Sequence, residues 1–332
     1  MTASPHPSTL SEATRQLEAA ARASLLAPSV FNTQPWRWRI AGDAMELYAD
    51  SDRHLPTTDP DGRLLMLSCG TALHHARTAL AAAGWTATVE RLPDETHPGL
   101  LARVRLEHAV PPDPAAQAMA AAMPRRRTDR RAFGDRPVPE AVITRLRRFV
   151  EVEGAYLHLV GADQLPMLAV ATEHAAGAEL DDPAYRAELE RWTNRPSWRG
   201  DGVPPATGVR PAPRPVPVRD FTAGTTAGLT PGDEIDKGAA YVVVFGMADR
   251  PVDVLCGGEA LSALLLEATA EGLATAPLSD AVEVGWTRNL LRGLLSGIGE
   301  PYLVVRLGYL ISADPLPAAP RRDPAEVITI DP

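Results

Sequence analysis

Cysteine is scarce in this chain of 332 residues, and the two that occur, Cys69 and Cys256, sit inside apolar helical patterns and outside any metal-ligand spacing. Buried thiols are expected, while a disulfide framework or a zinc or iron centre has no ligand pattern to build on. Positive charge is in deficit as well. The net charge is -9 and the isoelectric point lies near 5.4, which argues against nucleic acid as the main partner because phosphate contacts need a basic surface. No run approaches the roughly 18 apolar residues of a membrane span. Met1 to Leu10 also lacks the basic region and apolar core of a secretory signal. A soluble, cytoplasmic protein with no membrane partner is expected. No Gly-x-Gly-x-x-Gly opens after a strand pattern, so a dinucleotide-binding domain is not expected either. The eight histidines form no ligand spacing. His74 and His75 fall in a helical pattern and His97 and His108 at loop or strand ends, and all four read as structural or solvated.

What is present begins with residues Ala27 to Trp36, Ala-Pro-Ser-Val-Phe-Asn-Thr-Gln-Pro-Trp, a stretch with no hydrophobic period directly after a helical pattern. Pro28 and Pro35 fix the backbone at both ends, so Ser29, Asn32 and Gln34 and the intervening amides are pre-set to face something planar and polar. Uncharged amides and hydroxyls suit the edge of a heterocycle.

The second feature is the dense positive cluster Arg125-Arg126-Arg127-Thr128-Asp129-Arg130-Arg131, set in an otherwise acidic chain. It follows the alanine-rich helical pattern Ala115 to Met123 and precedes Pro137-Val138-Pro139, which opens a helix over Glu140 to Val150. Several guanidinium groups with a hydroxyl and free amides form a fork that matches a phosphate monoester.

Around these, the pattern reads as alternating helices and strands. Ser11 to Leu26 is an amphipathic helix with Ser11 as N-cap and Pro28 as its stop. Trp36 to Ile40 and Met45 to Ala49 alternate about Gly42-Asp43 as a hairpin. Gly62 to Ala83 carries one apolar helix face, and Trp85 to Leu92 and Leu100 to Glu107 are two further strands. Tyr241 to Phe245 and Leu303 to Leu307 are apolar runs of the buried-strand type.

Part of this plan recurs. Gly70-Thr71-Ala72-Leu73 matches Gly258-Glu259-Ala260-Leu261 at a separation of 188 residues, and Gly84 matches Gly272 at the same separation. Two related helices, each closed by a glycine, imply two related halves, 1–112 and 113–332. Within the second half, Arg195 to Asp233 is rich in proline and glycine and loses its apolar period. It exceeds the roughly 12 to 15 residues of a simple connection and is expected to be a functional cover with no packed core of its own. Trp192, Trp198 and Phe221 are the aromatic anchors that would press it onto a ligand, with Trp198 and Phe221 as the lid residues.

The ten-residue loop resembles the flavin-ring loop of the FMN-dependent nitroreductase family, and Arg126, Arg127, Thr128 and Arg130, followed by Phe133 and Pro137, resemble its Arg-Arg-Ser-x-Arg phosphate grip with Thr in place of Ser. Gly272 to Ser279 looks like the loop beneath the flavin, where the resemblance implies cofactor binding by Pro277, Leu278 and Ser279, with backbone amides from Leu278, Ser279 and Asp280 approaching the ring. Pro320-Arg321-Arg322 resembles the basic pair that closes on the phosphate. The implied fold is α+β, with mixed and antiparallel sheets flanked by helices. The implied activity is NAD(P)H-dependent two-electron reduction of a small conjugated acceptor by FMN, with NAD(P)H as a transient donor and the flavin doing the chemistry in place of a catalytic side chain or metal. In the ordinary family the phosphate arginines precede the ring loop, whereas here the ring loop comes first and each half retains one part of the site. That arrangement resembles the Acg-type branch, a fused pseudo-dimer with a lid, and implies one FMN per chain. A monomer is favoured and a homodimer stays open. Two alternatives remain at this point: a protein that sequesters flavin beneath the lid, and a flavin dehydrogenase of one pathway.

Overall fold

A computed structural model describes residues 11–193, 195–210, 212–221, 228–232, 235–311 and 314–331. The chain opens with helix α1 (Glu12–Ser24), capped by the Ser11 side chain, which accepts from the Thr14 N–H at 3.0 Å. Strands β1 (Trp36–Ala41) and β2 (Ala44–Ala49) form the expected hairpin, its tight turn placed at Gly42 by a φ of 60°. Helix α2 (Arg63–Ala82), strands β3 (Trp85–Arg91) and β4 (Leu100–Ala109) and helix α3 (Pro114–Ala122) complete the first stretch.

Helix α4 (Glu140–Val152), strand β5 (Tyr156–Leu159) and helices α5 (Leu165–Asp181) and α6 (Pro183–Thr193) precede the proline-rich segment. After it come β6 (Ala240–Gly246), α7 (Pro251–Ala270), β7 (Ala274–Leu278), α8 (Asp280–Glu283), α9 (Gly285–Leu294), β8 (Glu300–Gly308), α10 (Pro324–Val327) and β9 (Ile328–Ile330).

Two sheets result. One runs β3-β4-β2-β1-β9, antiparallel except for β9, which pairs parallel with β1. The other runs β5-β6-β8-β7, antiparallel throughout. Residues 328–330 therefore return to the first sheet, across the boundary that the sequence reading draws at 112. Each sheet buries its apolar face on helices, Trp36, Trp38 and Leu47 with Leu17 of α1 and Leu73 of α2 in one core, and Val242, Val244 and Val304 with Leu264 of α7 and Leu146 of α4 in the other.

The two cores meet along α2 and α7, which cross at Gly70 and Gly258. A Cβ on Gly70 would strike the Leu255 carbonyl and lie 2.8 Å from the Gly258 Cα, and one on Gly258 would strike the Leu67 carbonyl. The clash is reciprocal, since Leu67 and Leu255 are themselves 188 residues apart. Only a residue without a side chain lets the two helices approach this closely. Four residues on, the His74 Nδ1 lies 2.8 Å from the Ser262 Oγ, again at a separation of 188.

Candidate functional site

The loop after α1 is held in an unusual backbone. Phe31, Asn32 and Gln34 all lie in the left-handed region, at φ of 51°, 54° and 51°, a conformation that side-chain-bearing residues keep only when their surroundings hold them there. Those surroundings are visible. The Ser29 Oγ accepts from the Gln34 N–H at 2.9 Å, the Asn32 Nδ2 donates to the carbonyls of Gly202 and Pro320 at 3.1 Å each, and the Gln34 Nε2 donates to the Gly200 carbonyl at 2.9 Å. The Gln34 Oε1 accepts from the Arg322 N–H at 3.0 Å. Gln34, expected to face a ligand, is instead buried. Its amide ties the loop to the proline-rich segment and to the C-terminal segment.

The arginine segment is fixed from behind. Thr128 makes a parallel bridge to Thr275 beside β7, and the Asp129 N–H donates to the Thr275 carbonyl at 2.9 Å. Arg306 on β8, fully buried, donates through Nη2 to the carbonyls of Asp129 and Arg131 at 2.9 Å and through Nη1 to Asp236 at 2.6 Å, with Phe133 stacked at 4.0 Å. With its carbonyls engaged on that side, the segment turns Arg126, Arg127, Thr128 and Arg130 toward a cavity. Arg131 is drawn the other way by Asp129, at 2.7 Å.

Four guanidinium groups converge there. Arg126 is buried with Nε and Nη1 unpartnered, and Arg127 and Arg321 each have an unpartnered buried Nε. Arg321 reaches in from the C-terminal segment, anchored on the Asn32 Oδ1 at 2.6 Å and the Leu26 carbonyl at 2.9 Å. Burial, reinforced by the neighbouring arginines, pushes Arg321 down to about 9, and burial with Arg127 pushes Arg126 down to about 10. Burial, then Arg219, brings Arg130 to about 10 against the opposing pull of Asp129. Among the described residues no carboxylate lines this cavity, of about 580 Å³. Buried cations left in this state require an anion of matching geometry.

A second cavity of about 600 Å³ adjoins the first, and Pro28, Ser29, Phe31, Thr128 and Arg130 line both. Its walls are apolar, from Leu261 and Leu265 of α7, Leu303 and Pro277, with the hydroxyls of Ser68, Thr71 and Ser279 at the edge and Phe221 from the lid. The Thr71 Oγ1 donates to the Pro28 carbonyl at 2.6 Å, and the Ser68 Oγ accepts from the Val30 N–H at 3.3 Å, so α2 sets the height of the loop. A cationic end joined to an apolar end suits an elongated, phosphorylated aromatic molecule.

The structure thus gathers Pro28, Ser29, Asn32, Arg126, Arg127, Thr128, Arg130, Pro277, Ser279, Arg321 and Phe221 around one cleft. Gln34, Leu278 and Arg322 stand behind it. Leu278 is buried as a strand residue, and Arg322 donates to the carbonyls of Gln34 and Trp36 and to Asp50. Trp198 corrects the reading of the lid. It is 79% exposed, stacked under Arg199, because Gly200 at a φ of 66° turns the chain inward after it, against the Arg321 carbonyl. The proline-rich segment also has buried residues of its own, Val203, Val209 and Val216, where no packed core was expected. Ser68, Thr71, Leu261, Leu265 and the supporting Arg306 were not singled out as site residues by motif. The glycines of the α2–α7 crossing are the signal that places the first four beside a shared seam.

No protein-family model matches the chain. A Mycobacterium tuberculosis H37Rv protein named as an NAD(P)H nitroreductase, Rv3131, is 41% identical over 91% of this chain and 88% of its own length. Another from that strain, named as the NAD(P)H nitroreductase acg, is 34% identical over 95% of both chains. Among solved structures, a nitroreductase with bound FMN from Desulfitobacterium hafniense matches 65% of this chain and 98% of its own, at 13% identity and a TM-score of 0.41.

Proposed function

The chain belongs to the NAD(P)H nitroreductase family, and from that premise we propose that it is an FMN-dependent oxidoreductase carrying two electrons from NAD(P)H to a small conjugated acceptor such as a nitroaromatic or a quinone. The observation that carries the reading is the set of buried, unpartnered guanidinium nitrogens on Arg126, Arg127 and Arg321 beside an apolar cavity. A phosphate monoester satisfies the first and an aromatic ring system fills the second, so the residues present fit FMN.

Arg126, Arg127, Arg130 and Arg321, with the Thr128 hydroxyl, would hold the phosphate. Pro28, Ser29, Pro277 and Ser279 would hold the ring edge, with Leu261, Leu265 and Leu303 as apolar walls. When bound, the flavin supplies the two-electron step and accepts and donates by turns. The chain's own residues position and desolvate. The leucines exclude water from the ring side, which strengthens every charge contact there, and Arg306 and Thr275 keep the arginine segment in register.

One observation favours a second reading, sequestration of the flavin. Phe221 lines the ring-side cavity, edge-on to Phe31 at 5.9 Å and under the Arg130 guanidinium at 4.3 Å, and the lid is tied to the ring loop through Gly200 and Gly202. Absorbance of the purified protein, recorded anaerobically before and after NADH and NADPH in turn, separates the readings. Bleaching of a flavin spectrum by either supports the reductase, a flavin spectrum that both leave unchanged supports sequestration, and a colourless protein that takes up no added FMN removes both.

A further inference from the structure

A third cavity, of about 340 Å³, lies between the lid and the arginine segment, lined by Arg130, Arg210, Arg214 and Arg219 with Val209 and Val218 among its apolar walls. Arg130 also lines both cavities of the proposed flavin site, whereas Arg210, Arg214 and Arg219 line neither. Among the described residues no acidic side chain lines the third cavity.

One of its arginines is only partly satisfied. Arg219 is buried, and its Nη2 donates to Glu179 at 3.0 Å and to Glu283 at 2.7 Å, which leaves Nε and Nη1 without a partner. The side chain of Arg214 is 3% exposed, 3.9 Å from Asp236 and donating to the Arg130 carbonyl at 2.9 Å. Arg210 is exposed. Burial, with Arg306 as the next cause, holds Arg214 below its ordinary value. Buried guanidinium nitrogens with no acceptor are expensive unless something fills the space with oxygen atoms.

We infer that this cavity binds an oxyanion, a carboxylate or phosphate, carried by the molecule that reacts in the ring-side cavity. The inference rests on the oxidoreductase reading, and it makes the reaction partner an acid: an aromatic acceptor with a carboxylate, or a nicotinamide dinucleotide with an extra phosphate. Both sources share the chemistry that Arg210, Arg214 and Arg219 recognise, and Arg130 places the anion next to the ring side.

Two ratios measured on the full, flavin-loaded chain test this: KM for nitrobenzene over KM for 4-nitrobenzoate, and KM for NADH over KM for NADPH. A tenfold or greater ratio in the parent that falls to near one in Arg210→Glu/Arg214→Gln, and is retained in Arg210→Lys, supports the site, and which ratio moves identifies the source. Two ratios near one in the parent, or ratios unaffected by the double variant, overturn it. Calorimetric titration of the flavin-loaded parent with sodium benzoate and, separately, with inorganic phosphate needs no turnover. Saturable binding of either, weakened tenfold by Arg210→Glu, supports the cavity even if no reduction is seen, and absence of binding of both overturns it. Loss of reduction with benzoate binding intact is a failure of the oxidoreductase reading alone.

Discussion

The Arg77 Nη1 donates to the Glu259 Oε1 at 2.6 Å, and Glu259, fully buried, accepts from the Arg91 Nε at 2.6 Å as well. Arg77 also reaches Glu153, at 2.5 Å. Shifted by the 188-residue separation, Glu259 corresponds to Thr71, Arg77 to Leu265 and Arg91 to Ser279, three residues of the ring-side cavity. Hydroxyls and an apolar wall on one side of the α2–α7 seam are thus replaced by an ion network on the other. Under the fused-pair reading, this network fills the place of a second ring.

One FMN per chain is therefore expected. Denaturing the purified protein, identifying the released chromophore and dividing its amount by that of the polypeptide checks it. A value near two, or FAD in place of FMN, sinks the single-site arrangement.

Glu259→Ala should unfold the chain more readily while leaving FMN content unchanged. The change strands Arg91 and leaves Arg77 with Glu153 as its remaining carboxylate, the two arginine side chains being 26% and 30% accessible. Breaking a buried pair costs about 3 to 5 kcal/mol, and this residual exposure puts the expected loss near the lower end. Urea denaturation of the two proteins gives the difference. A loss below about 1 kcal/mol would mean that the network behaves as a surface one.

Arg126→Ala with Arg130→Ala should weaken FMN retention far more than it weakens the fold. Each charge-assisted contact to phosphate contributes on the order of 1.5 to 3 kcal/mol, so the pair together should raise the FMN dissociation constant at least a hundredfold. Neither arginine makes an ion pair among the described residues. The flavin-free variant should therefore melt no lower than the flavin-free parent. Dialysis followed by absorbance reads the first effect and calorimetry of the apo proteins the second.

Asp280 imposes a pH dependence. Burial, partly opposed by Arg219 and reinforced by Glu283, pushes its carboxyl from an ordinary 3.8 up to about 6. The folded chain holds that proton across the window in which the unfolded chain has released it. This contribution therefore lowers stability as pH rises from about 4 to about 6, and above that the full penalty, on the order of 2 to 3 kcal/mol, is in force. Asp280→Asn keeps an acceptor for the Ala281 N–H and should flatten that decline and raise stability at pH 7. Denaturation curves at pH 4, 5, 6 and 7 check it, and parallel declines in the two proteins would assign the slope to other groups.

The elements that sequence periodicity identifies are those whose local pattern and burial agree. The Ser11 cap, the Gly42 hairpin and the apolar face of α2 are each decided within a few residues, and the arginine cluster stands out against an acidic chain. Ser68 and Thr71 were hidden inside the same helical face that reads as core, because their function follows from α7 lying against them. Strand β9 pairs with β1 across nearly the whole chain, and no local pattern announces such a partner. The lid has no period at all, so which of its aromatics turns inward is decided by the bend at Gly200 and by Arg219 on Glu179 and Glu283.

That difference between the two lid aromatics gives the last prediction. Phe221 stands on the ring-side cavity and Trp198 on the outer surface, so only truncation of Phe221 should have an effect if the segment gates access to the flavin. Phe221→Ala opens the apolar wall next to Phe31 and Arg130 but leaves the lid fastened by Arg219 and by the Asn32 and Gln34 amides. Flavin reduction by NADPH should then accelerate several-fold at nearly constant FMN content, because loop and lid motions of this kind commonly limit such steps. Trp198→Ala should change neither quantity. Replacing residues 203–218 by a brief Gly/Ser bridge, which removes the buried Val203, Val209 and Val216, should accelerate reduction further. Stopped-flow reduction of the parent and the three variants decides the matter: equal rates in all four mean that the segment is not a gate, and loss of FMN from Phe221→Ala means that the phenyl ring is part of the binding site itself.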